Sequence, residues 1–195
     1  LGHFFASEAH FDIVPDMIIS AKGITSGYQP LGVVMISDRI CDAISAGAPE
    51  EKPVFSNGYT YSGHPIVCPT AIKNIEIMKR DGICQHVREV GPYFIEQLRT
   101  LIDSDIVYTV RGDHLMACVE CWTGDEGGPT AKNMALAQRV DQYCEQDGLL
   151  VRPYENLCIM SPPLIVERSD IDRIIATLGS ALTRAQNDLR AGLLH

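Results

Sequence analysis

Long hydrophobic runs are missing from this sequence, and so are clusters of basic residues. The longest uninterrupted apolar stretches span only a few residues, whereas a helix that crosses a membrane needs roughly 20. Lys and Arg total 16 against 25 Asp and Glu, so the net charge is −9, the wrong sign for a surface that binds a nucleic-acid backbone. The first residues also lack the charged and apolar segments of a signal peptide. We therefore expect neither a membrane nor a nucleic acid as a partner.

A paired cysteine framework is also absent. The chain has 7 cysteines, an odd number, which favours free thiols in a reducing compartment and predicts a cytoplasmic protein. Cys118 and Cys121 have the CxxC spacing, but no second pair of cysteines or histidines lies nearby in the sequence. Buried, unreactive thiols are therefore favoured over a zinc or redox site.

What remains is the composition of a globular protein, with 46% hydrophobic and 21% charged residues over 195 positions. That length suffices for one sizeable core or for two small domains. Strand and helix patterns alternate in the first part, which predicts an α/β fold, whereas the second part is of α+β type. We place the boundary near residue 85, giving domains over residues 1–85 and 86–195.

The first part contains two short apolar runs and one amphipathic segment. The runs "DMIIS" (16–20) and "LGVVMIS" (31–37) are typical of strands buried on both faces of a mixed or parallel sheet. The segment "GHPIVCPTAIKNIEIMKRDG" (63–82) has apolar residues at helical spacing, which predicts a helix: Val67, Ala71, Ile75 and Met78.

The second part begins with a helical segment, "CQHVREVGPYFIEQLRTLI", and continues with two strands. Gly112–Asp113 predicts the hairpin turn between these strands. Thr130 is the expected N-cap of a helix that ends at Gly148. Two short strands follow, and Ser169 with Asp172 forms the capping-box pattern expected to open the last helix. The apolar stripe of that helix comprises Ile171, Ile174, Ile175, Leu178 and Leu182.

Lys22 is a candidate catalytic residue because it directly follows the first apolar run and precedes a segment rich in glycine. In open α/β sheets, ligands bind beyond the carboxyl ends of strands. A lysine next to low-dielectric walls has a lowered pKa, which makes its neutral amine available as a nucleophile. Spacing alone fits an exposed loop lysine better than a catalytic one, so the residues by themselves favour that alternative.

Two further segments contain residues suited to binding. The loop "FSNGYTYSGHP" (55–65) has hydroxyls, including those of Tyr59 and Thr60, just before a helix N-terminus, where an anion such as a phosphate is favoured. A capped helix after an ordinary polar loop is the alternative. Arg152 lies between two strands and suits a carboxylate, although a surface ion pair explains it equally well.

Four separated segments, in the same order, resemble the class III (ω) aminotransferases, which use pyridoxal 5′-phosphate. They are "PDMIISAKGITSGYQPLGVVMIS", "FSNGYTYSGHPIVCPTAIKNIEIM", "VRGDHLMACVE" and "GLLVRP" with "ENLCIMSPPLIVERSDID". The resemblance covers nearly the whole chain. It implies part of a fold-type I pyridoxal-phosphate-dependent transferase, namely the end of the large mixed-sheet cofactor domain and a small α+β C-terminal domain.

The resemblance also implies a role for each candidate residue. Lys22 matches the lysine that forms the Schiff base with the cofactor and moves the proton during transfer. Thr60, with the backbone of Tyr59, matches the segment that reaches the cofactor phosphate of the neighbouring subunit. Arg152 matches the mobile arginine that pairs with the carboxylate of an amino or keto acid in many members.

The sequence departs from the family in two ways. Asn57 stands where such segments often have His, which affects contacts near the phosphate but leaves the Thr60 hydroxyl. The family's acidic partner of the pyridine nitrogen, its ring-stacking aromatic residue and its phosphate loop lie upstream of the lysine and have no match here. We therefore interpret the 195 residues as the C-terminal half of a longer enzyme, inactive by itself.

The resulting hypothesis is an aminotransferase that moves an amino group from an amine or ω-amino acid to a keto acid such as pyruvate. The resemblance implies a homodimer with shared active sites, and further pairing to a tetramer is left open. A mutase or decarboxylase of the same superfamily, or a non-catalytic remnant that keeps the fold and the dimer surface, remains an alternative.

Overall fold

A computed structural model describes residues 1–46, 57–124 and 127–194 of the chain. The chain forms two compact units, which we call the N-terminal unit (Phe5–Gly82) and the C-terminal unit (Ile83–His195 together with Leu1–Phe4). Gly2 belongs to the C-terminal unit because Arg88 donates a hydrogen bond to its carbonyl. A Cβ at Gly2 would lie 2.4 Å from Cγ of Arg88, so only glycine fits at this position.

The N-terminal unit combines a two-stranded antiparallel ribbon with helices. Its elements in chain order are α1 (Ala6–Phe11), β1 (Met17–Ala21), a 3₁₀ turn (Lys22–Thr25), β2 (Gly32–Ile36), α2 (Asp38–Ser45) and α3 (Val67–Arg80). The register places Met17 opposite Ile36 and Ala21 opposite Gly32.

The two strands are less buried than the sequence predicted. Residues alternate along each strand, and one face of the ribbon is exposed: Ile19 is 81% and Val34 62% accessible. The other face is only half-buried, at Ile18 and Met35 for example. The expectation of burial on both faces is therefore wrong for the described residues. Such burial needs packed layers on both sides, and these residues do not supply them.

Helix α3 agrees with its sequence pattern. Val67 and Ala71 are buried, and Ile75 and Met78 lie half-buried at the same spacing. Pro69 falls within the first turn, where a helix tolerates a residue without an N–H donor. One stripe of α3 thus faces the rest of its unit.

The C-terminal unit is a four-stranded antiparallel sheet with helices. Its elements are α4 (Ile83–Arg99), β3 (Val107–Asp113), β4 (Met116–Cys121), α5 (Ala131–Gln146), β5 (Arg152–Tyr154), β6 (Leu157–Met160) and α6 (Arg168–Arg190). The strand order is β3-β4-β6-β5. Among the described residues, no helix is long and apolar enough to cross a membrane.

A continuous core lies between the helices and one face of this sheet. Phe94 from α4, Leu136 from α5, Leu178 from α6 and Val119 from β4 are fully buried in it. The predicted stripe of the last helix is confirmed: Ile171, Leu178 and Leu182 are buried, and Ile174 and Ile175 pack against them.

The turn of the β3–β4 hairpin lies further along the chain than predicted. Asp113 still pairs with Met116, so the connecting residues are His114 and Leu115, with His114 at φ 46°. The prediction of a turn at Gly112–Asp113 is therefore wrong. Gly112 is a strand residue at φ 129°, and a Cβ there would lie 2.2 Å from the carbonyl oxygen of Met116. The glycine permits a close approach of two strands.

The helix caps agree with the sequence at α5 and differ at α6. The Thr130 hydroxyl accepts a hydrogen bond from the N–H of Asn133, which confirms the N-cap, and Gly148 adopts φ 81° just after the helix. Helix α6 instead begins after Glu167, which forms a reciprocal capping box with Asp170. The expected box at Ser169 and Asp172 is therefore wrong.

Candidate functional site

Lys22 lies immediately after β1 in a strained backbone conformation. Its φ of 55° falls in the left-handed region, which residues with a Cβ seldom adopt. Such a conformation costs of order 1–3 kcal/mol and persists only where the surroundings hold it. The contacts around Lys22 therefore show what the fold does to keep this residue in place.

The 3₁₀ turn is closed from within by Thr25, which is buried. The Thr25 hydroxyl donates a hydrogen bond of 2.6 Å to the carbonyl of Gln29 and lies 3.4 Å from the carbonyl of Lys22. The N–H of Gly27 also donates to the Lys22 carbonyl, at 3.3 Å. The backbone of Lys22 is thus bound within its own loop.

A side chain from α3 holds the same turn from outside. The Asn74 amide nitrogen donates to the carbonyls of Gly23 and Ile24, at 3.0 and 3.1 Å. The Ser26 hydroxyl donates to the Asn74 side-chain oxygen at 2.8 Å. Sequence reasoning missed Asn74. The signal was available, since Asn74 is a polar residue between Ala71 and Met78 on the inward stripe of a predicted helix.

The Lys22 side chain is exposed, and its amine has no hydrogen bond or ion pair among the described residues. The low-dielectric walls expected from the sequence are therefore not supplied by these residues. Asp16, at the other end of β1, is already paired with Arg39, whose hydrogen bond lowers the pKa of that carboxyl together with one from Ser37. The backbone of Lys22 is thus held, whereas its side-chain amine has no partner among the described residues.

An open cleft of about 780 Å³ lies at the start of β2. Its lining residues come from the β2 start, the 59–64 loop and the first turn of α3: Gln29, Pro30, Leu31, Gly32, Val33, Val34, Tyr59, Tyr61, Ser62, Gly63, His64, Val67 and Cys68. Gly32 pairs with Ala21, the residue before Lys22, so the end of β1 lies at the edge of this cleft. Lys22 itself does not line it.

Tyr59 and Thr60 belong to the loop that borders this cleft. The Tyr59 N–H donates to the Ser62 hydroxyl at 3.0 Å, and the Ser62 N–H donates to the Tyr59 carbonyl at 2.9 Å, which fixes the loop. Thr60 is exposed, and its hydroxyl has no partner among the described residues. This hydroxyl is therefore available to a ligand or to another chain.

Arg152 lies in the C-terminal unit, as the first residue of β5. In the sheet, Arg152 lies opposite Ile159 of β6, and Ile159 lies opposite Cys118 of β4. Cys118 in turn lies opposite Arg111 of β3, so all four residues share one face of the sheet. Arg152 is exposed, and its guanidinium has no partner in the described part of the chain.

Another residue on that face forms a buried polar contact. Glu120 is 9% exposed, accepts a hydrogen bond from Asn156 at 3.2 Å and pairs with Arg111 at 3.0 Å. Arg111 is therefore engaged in an ion pair, whereas Arg152 is free to contact a carboxylate.

The cysteines of the C-terminal unit are packed rather than arranged for a metal. Cys118 and Cys121 lie on opposite faces of β4, as residues three apart in a strand do. The sulfur atoms of Cys121 and Cys158 lie 3.9 Å apart in the core. Within residues 1–46, 57–124 and 127–194, no group of three or more metal-ligating side chains is found.

A model of the class-III aminotransferases matches residues 1–182 of this sequence. The chain belongs to the class-III aminotransferase family. This result confirms the resemblance drawn from the four segments that contain Lys22, Thr60, Arg111 and Arg152.

Among curated relatives of this class-III aminotransferase chain, gamma aminobutyrate transaminase 3, chloroplastic, of Solanum lycopersicum is 34% identical over 189 residues, or 96% of the chain. Gamma aminobutyrate transaminase 1, mitochondrial, of the same plant is 31% identical over 187 residues. The chain spans 36% of the length of each.

Solved structures of transaminases share the fold of the class-III aminotransferase chain. An amine transaminase from an uncultivated Pseudomonas species, determined with pyridoxal phosphate bound, is 33% identical with a TM-score of 0.86, covering 94% of this chain and 41% of that one. An (S)-enantioselective omega-transaminase from Thermomicrobium roseum is 31% identical with a TM-score of 0.81, covering 94% and 40%. The predicted fold class, part of a fold-type I transferase, is confirmed.

The residues of this class-III aminotransferase chain fit its family's cofactor, pyridoxal 5′-phosphate. An aldehyde cofactor needs an unpaired primary amine, which Lys22 has, and space around it. An added Cβ at Gly23, Gly27 or Gly32 would meet no atom within 4 Å. A phosphate needs unpaired donors, and the Thr60 hydroxyl, in the loop that precedes α3, has no partner among the described residues.

Proposed function

We propose that the protein that contains this chain is a pyridoxal-phosphate-dependent aminotransferase. It transfers an amino group from an amine or ω-amino acid to a keto acid such as pyruvate. Family membership and relatives named as transaminases support this reaction over a mutase, a decarboxylase or a non-catalytic remnant. The structural observation that carries the proposal is Lys22, whose amine is unpaired among the described residues and whose carbonyl is bound by Thr25 and Gly27, with Asn74 holding the two residues that follow.

The cofactor, when bound, supplies the electron sink that lets bonds at the substrate carbon break. Lys22 would provide the amine that anchors the cofactor and, once released by the substrate amine, would move the proton between the substrate carbon and the cofactor. Proton transfer by a positioned group of this kind contributes about 10²- to 10⁴-fold to a rate. The fixed backbone of Lys22 limits where its Nζ atom can reach, which suits that task.

Thr60, with the backbone of Tyr59, binds the cofactor phosphate of a neighbouring subunit in this proposal. The exposure of its hydroxyl and the absence of a partner among the described residues support a contact with another chain. The protein is then a homodimer with shared active sites. Arg152 binds the carboxylate of the amino or keto acid, since its guanidinium is exposed and unpaired among the described residues.

We place the enzyme in a reducing compartment, the cytoplasm, because all seven cysteines are free thiols. The family's acidic partner of the pyridine nitrogen has no match in these residues. We therefore expect the 195 residues to be inactive by themselves. In this proposal, the partner of the pyridine nitrogen comes from a part of the protein outside these residues.

The first test is the Lys22→Ala variant of the complete gene product that contains this chain. Alanine formation from an amine donor and pyruvate should fall by at least about 10³-fold, because the anchoring amine and the proton carrier are both lost. Lys73→Ala removes an exposed lysine of α3, paired with Glu76, and serves as the control with unchanged rate. Undiminished multiple-turnover transamination by Lys22→Ala would overturn the proposal.

The shared-site arrangement can be tested by mixing subunits. Lys22→Ala and Thr60→Ala each damage the enzyme, but a mixed dimer of the two variants keeps one intact site if Thr60 acts across the interface. Activity should therefore reappear on mixing. If it stays at the level of the separate variants, Thr60 acts within its own subunit or not at all, and an active monomer would rule out the dimer.

A further inference from the structure

We propose that Asn74 is a positioning residue for Lys22: it acts through the backbone of the turn and sets the direction of the reactive amine. The inference rests on the role proposed for Lys22 and adds a residue of α3 to the active site.

The first argument is that Asn74 makes three side-chain hydrogen bonds to this turn, besides a weak contact of its amide nitrogen with the Met78 sulfur at 3.9 Å. Its amide nitrogen donates to the carbonyls of Gly23 and Ile24, which are successive residues. Its oxygen accepts from the Ser26 hydroxyl. An amide nitrogen has two N–H donors, and because the Gly23 and Ile24 carbonyls can only accept, they fix the nitrogen side of the group toward the turn.

The second argument is that the turn needs such a restraint. Lys22 and Ser26 both have positive φ angles, of 55° and 50°, and Asn74 holds the segment between them. If the Lys22 backbone relaxed to an extended conformation, its Cβ would point elsewhere and carry the amine with it. Misplacement of a reacting group by about 1 Å can cost on the order of 10²-fold in rate.

A purely structural role for Asn74 is the competing interpretation, since it also joins α3 to the turn. The two interpretations differ in what the surviving sites do. A structural defect reduces the number of competent sites, whereas a positioning defect reduces the rate at each site. The test therefore counts sites and measures kcat for each of them.

Four variants of the complete gene product separate these effects. Asn74→Leu keeps the approximate shape of the side chain and removes its three hydrogen bonds to the turn, and Asn74→Gln restores an amide on a side chain one methylene longer. Ser26→Gly removes the hydroxyl that donates to the Asn74 oxygen while keeping the left-handed backbone favourable. Lys73→Ala is the matched control, because it is the adjacent α3 residue and its side chain lies on the exposed surface.

Sites are counted by borohydride fixation of pyridoxal phosphate and mapping of the label to Lys22. For Asn74→Leu, we expect kcat per labelled site to fall about 10- to 100-fold, with KM for both substrates changed less than about threefold. Asn74→Gln should recover part of this loss. In the cofactor-free protein, hydrogen exchange should accelerate in the peptide over residues 17–32 and nowhere else.

A kcat per site for Asn74→Leu within threefold of the Lys73→Ala control would overturn the inference. If Asn74→Leu yields no labelled sites, Ser26→Gly decides: a lower kcat per site with faster local exchange supports positioning, and unchanged values refute it. An active Lys22→Ala variant would instead refute the proposed function. An inactive Lys22→Ala with an unaffected Asn74→Leu refutes only the role of Asn74.

Discussion

The two units of the chain differ in where their apolar residues lie. In the C-terminal unit, side chains from three helices and the sheet form one buried core that includes Phe94 and Leu178. In the described part of the N-terminal unit, the buried apolar residues are only Val67 and Ala71. The unit that contains Lys22 therefore has little core of its own, whereas the C-terminal unit has the contacts needed for stability.

The N-termini of the helices also differ between the two units. Helices α5 and α6 are capped by side chains of their own termini, Thr130 at one and Glu167 with Asp170 at the other. Helices α1, α2 and α3 have no side-chain N-cap bond. At α2 the residue in the N-cap position, Ser37, donates its hydroxyl to Asp16. Local sequence thus stabilises the C-terminal unit more than the N-terminal one.

The sharpest way to test this difference is to delete the same side chain from each unit. Ile171→Ala empties a fully buried site of α6 and should lower the free energy of unfolding by about 2–5 kcal/mol. Ile19→Ala, on the exposed face of β1, should change it by less than about 0.5 kcal/mol in the 195-residue chain. Urea unfolding of both variants measures the two values.

The Ile19 site also tests whether other parts of the protein cover the ribbon. In the complete gene product, Ile19→Ala should cost about 2 kcal/mol or more if its face is packed there. Equal, small losses in both forms would show that this face stays in solvent. Equal losses for Ile171→Ala and Ile19→Ala in the 195-residue chain would contradict the difference between the units.

A smaller effect concerns alkaline pH and the buried thiols of the C-terminal unit. Burial raises the pKa of Cys144 from 9.0 to about 12, with Cys158 as a secondary cause. The folded state favours the protonated thiol. Cys144 therefore contributes fully to the free energy of unfolding below pH 9, the pKa of the unfolded chain, and this contribution is lost as the pH rises from 9 through about 12. One thiol changes the slope of the free energy of unfolding against pH by at most about 1.4 kcal/mol per pH unit.

The measurement compares the parent chain with Cys144→Ala between pH 8 and 12, because lysines and tyrosines titrate equally in both. The parent should lose stability more steeply above pH 9 than the variant. Parallel curves would mean that the pKa of Cys144 is the same in the folded and the unfolded chain.

The smallest expected effect is at a helix cap. Thr130→Ala removes the hydroxyl that accepts from the Asn133 N–H and should cost about 1 kcal/mol by urea unfolding. Thr183→Ala is the control, since this exposed residue lies inside α6 and its hydroxyl donates to the carbonyl of Gly179 in the preceding turn. A Thr130→Ala loss no greater than that of Thr183→Ala would show that capping contributes little here.

The sequence predicted helices more accurately than turns and caps, for a physical reason. Apolar spacing along one element reports which face is buried, so Ala71 in α3 and Ile171 in α6 were found correctly. The cap of α6 was misplaced because the Asp172 carboxylate accepts from the hydroxyl of Tyr93, a residue 79 positions away. A competitor so distant in sequence leaves no local pattern.

The candidate site likewise combines features that the sequence predicted with features that it did not. The order of motifs around Lys22, Thr60 and Arg152 was sufficient to indicate the family, and the position of Lys22 after a strand followed from the apolar run before it. The sequence did place Asn74 on the inward stripe of a predicted helix, but its bonds to the Lys22 turn were not predictable, because they join residues about 50 positions apart.

By itself, the sequence determined the family and the helices with strong periodicity and supplied the candidates for the chemistry, because these depend on residue type and local spacing. The tertiary structure alone decided the burial of the strands, the turn at His114 and Leu115, and the hold of α3 on the Lys22 turn. Each of these depends on which distant groups compete for the same carbonyl, carboxylate or apolar surface, and that competition is settled only when the chain is folded.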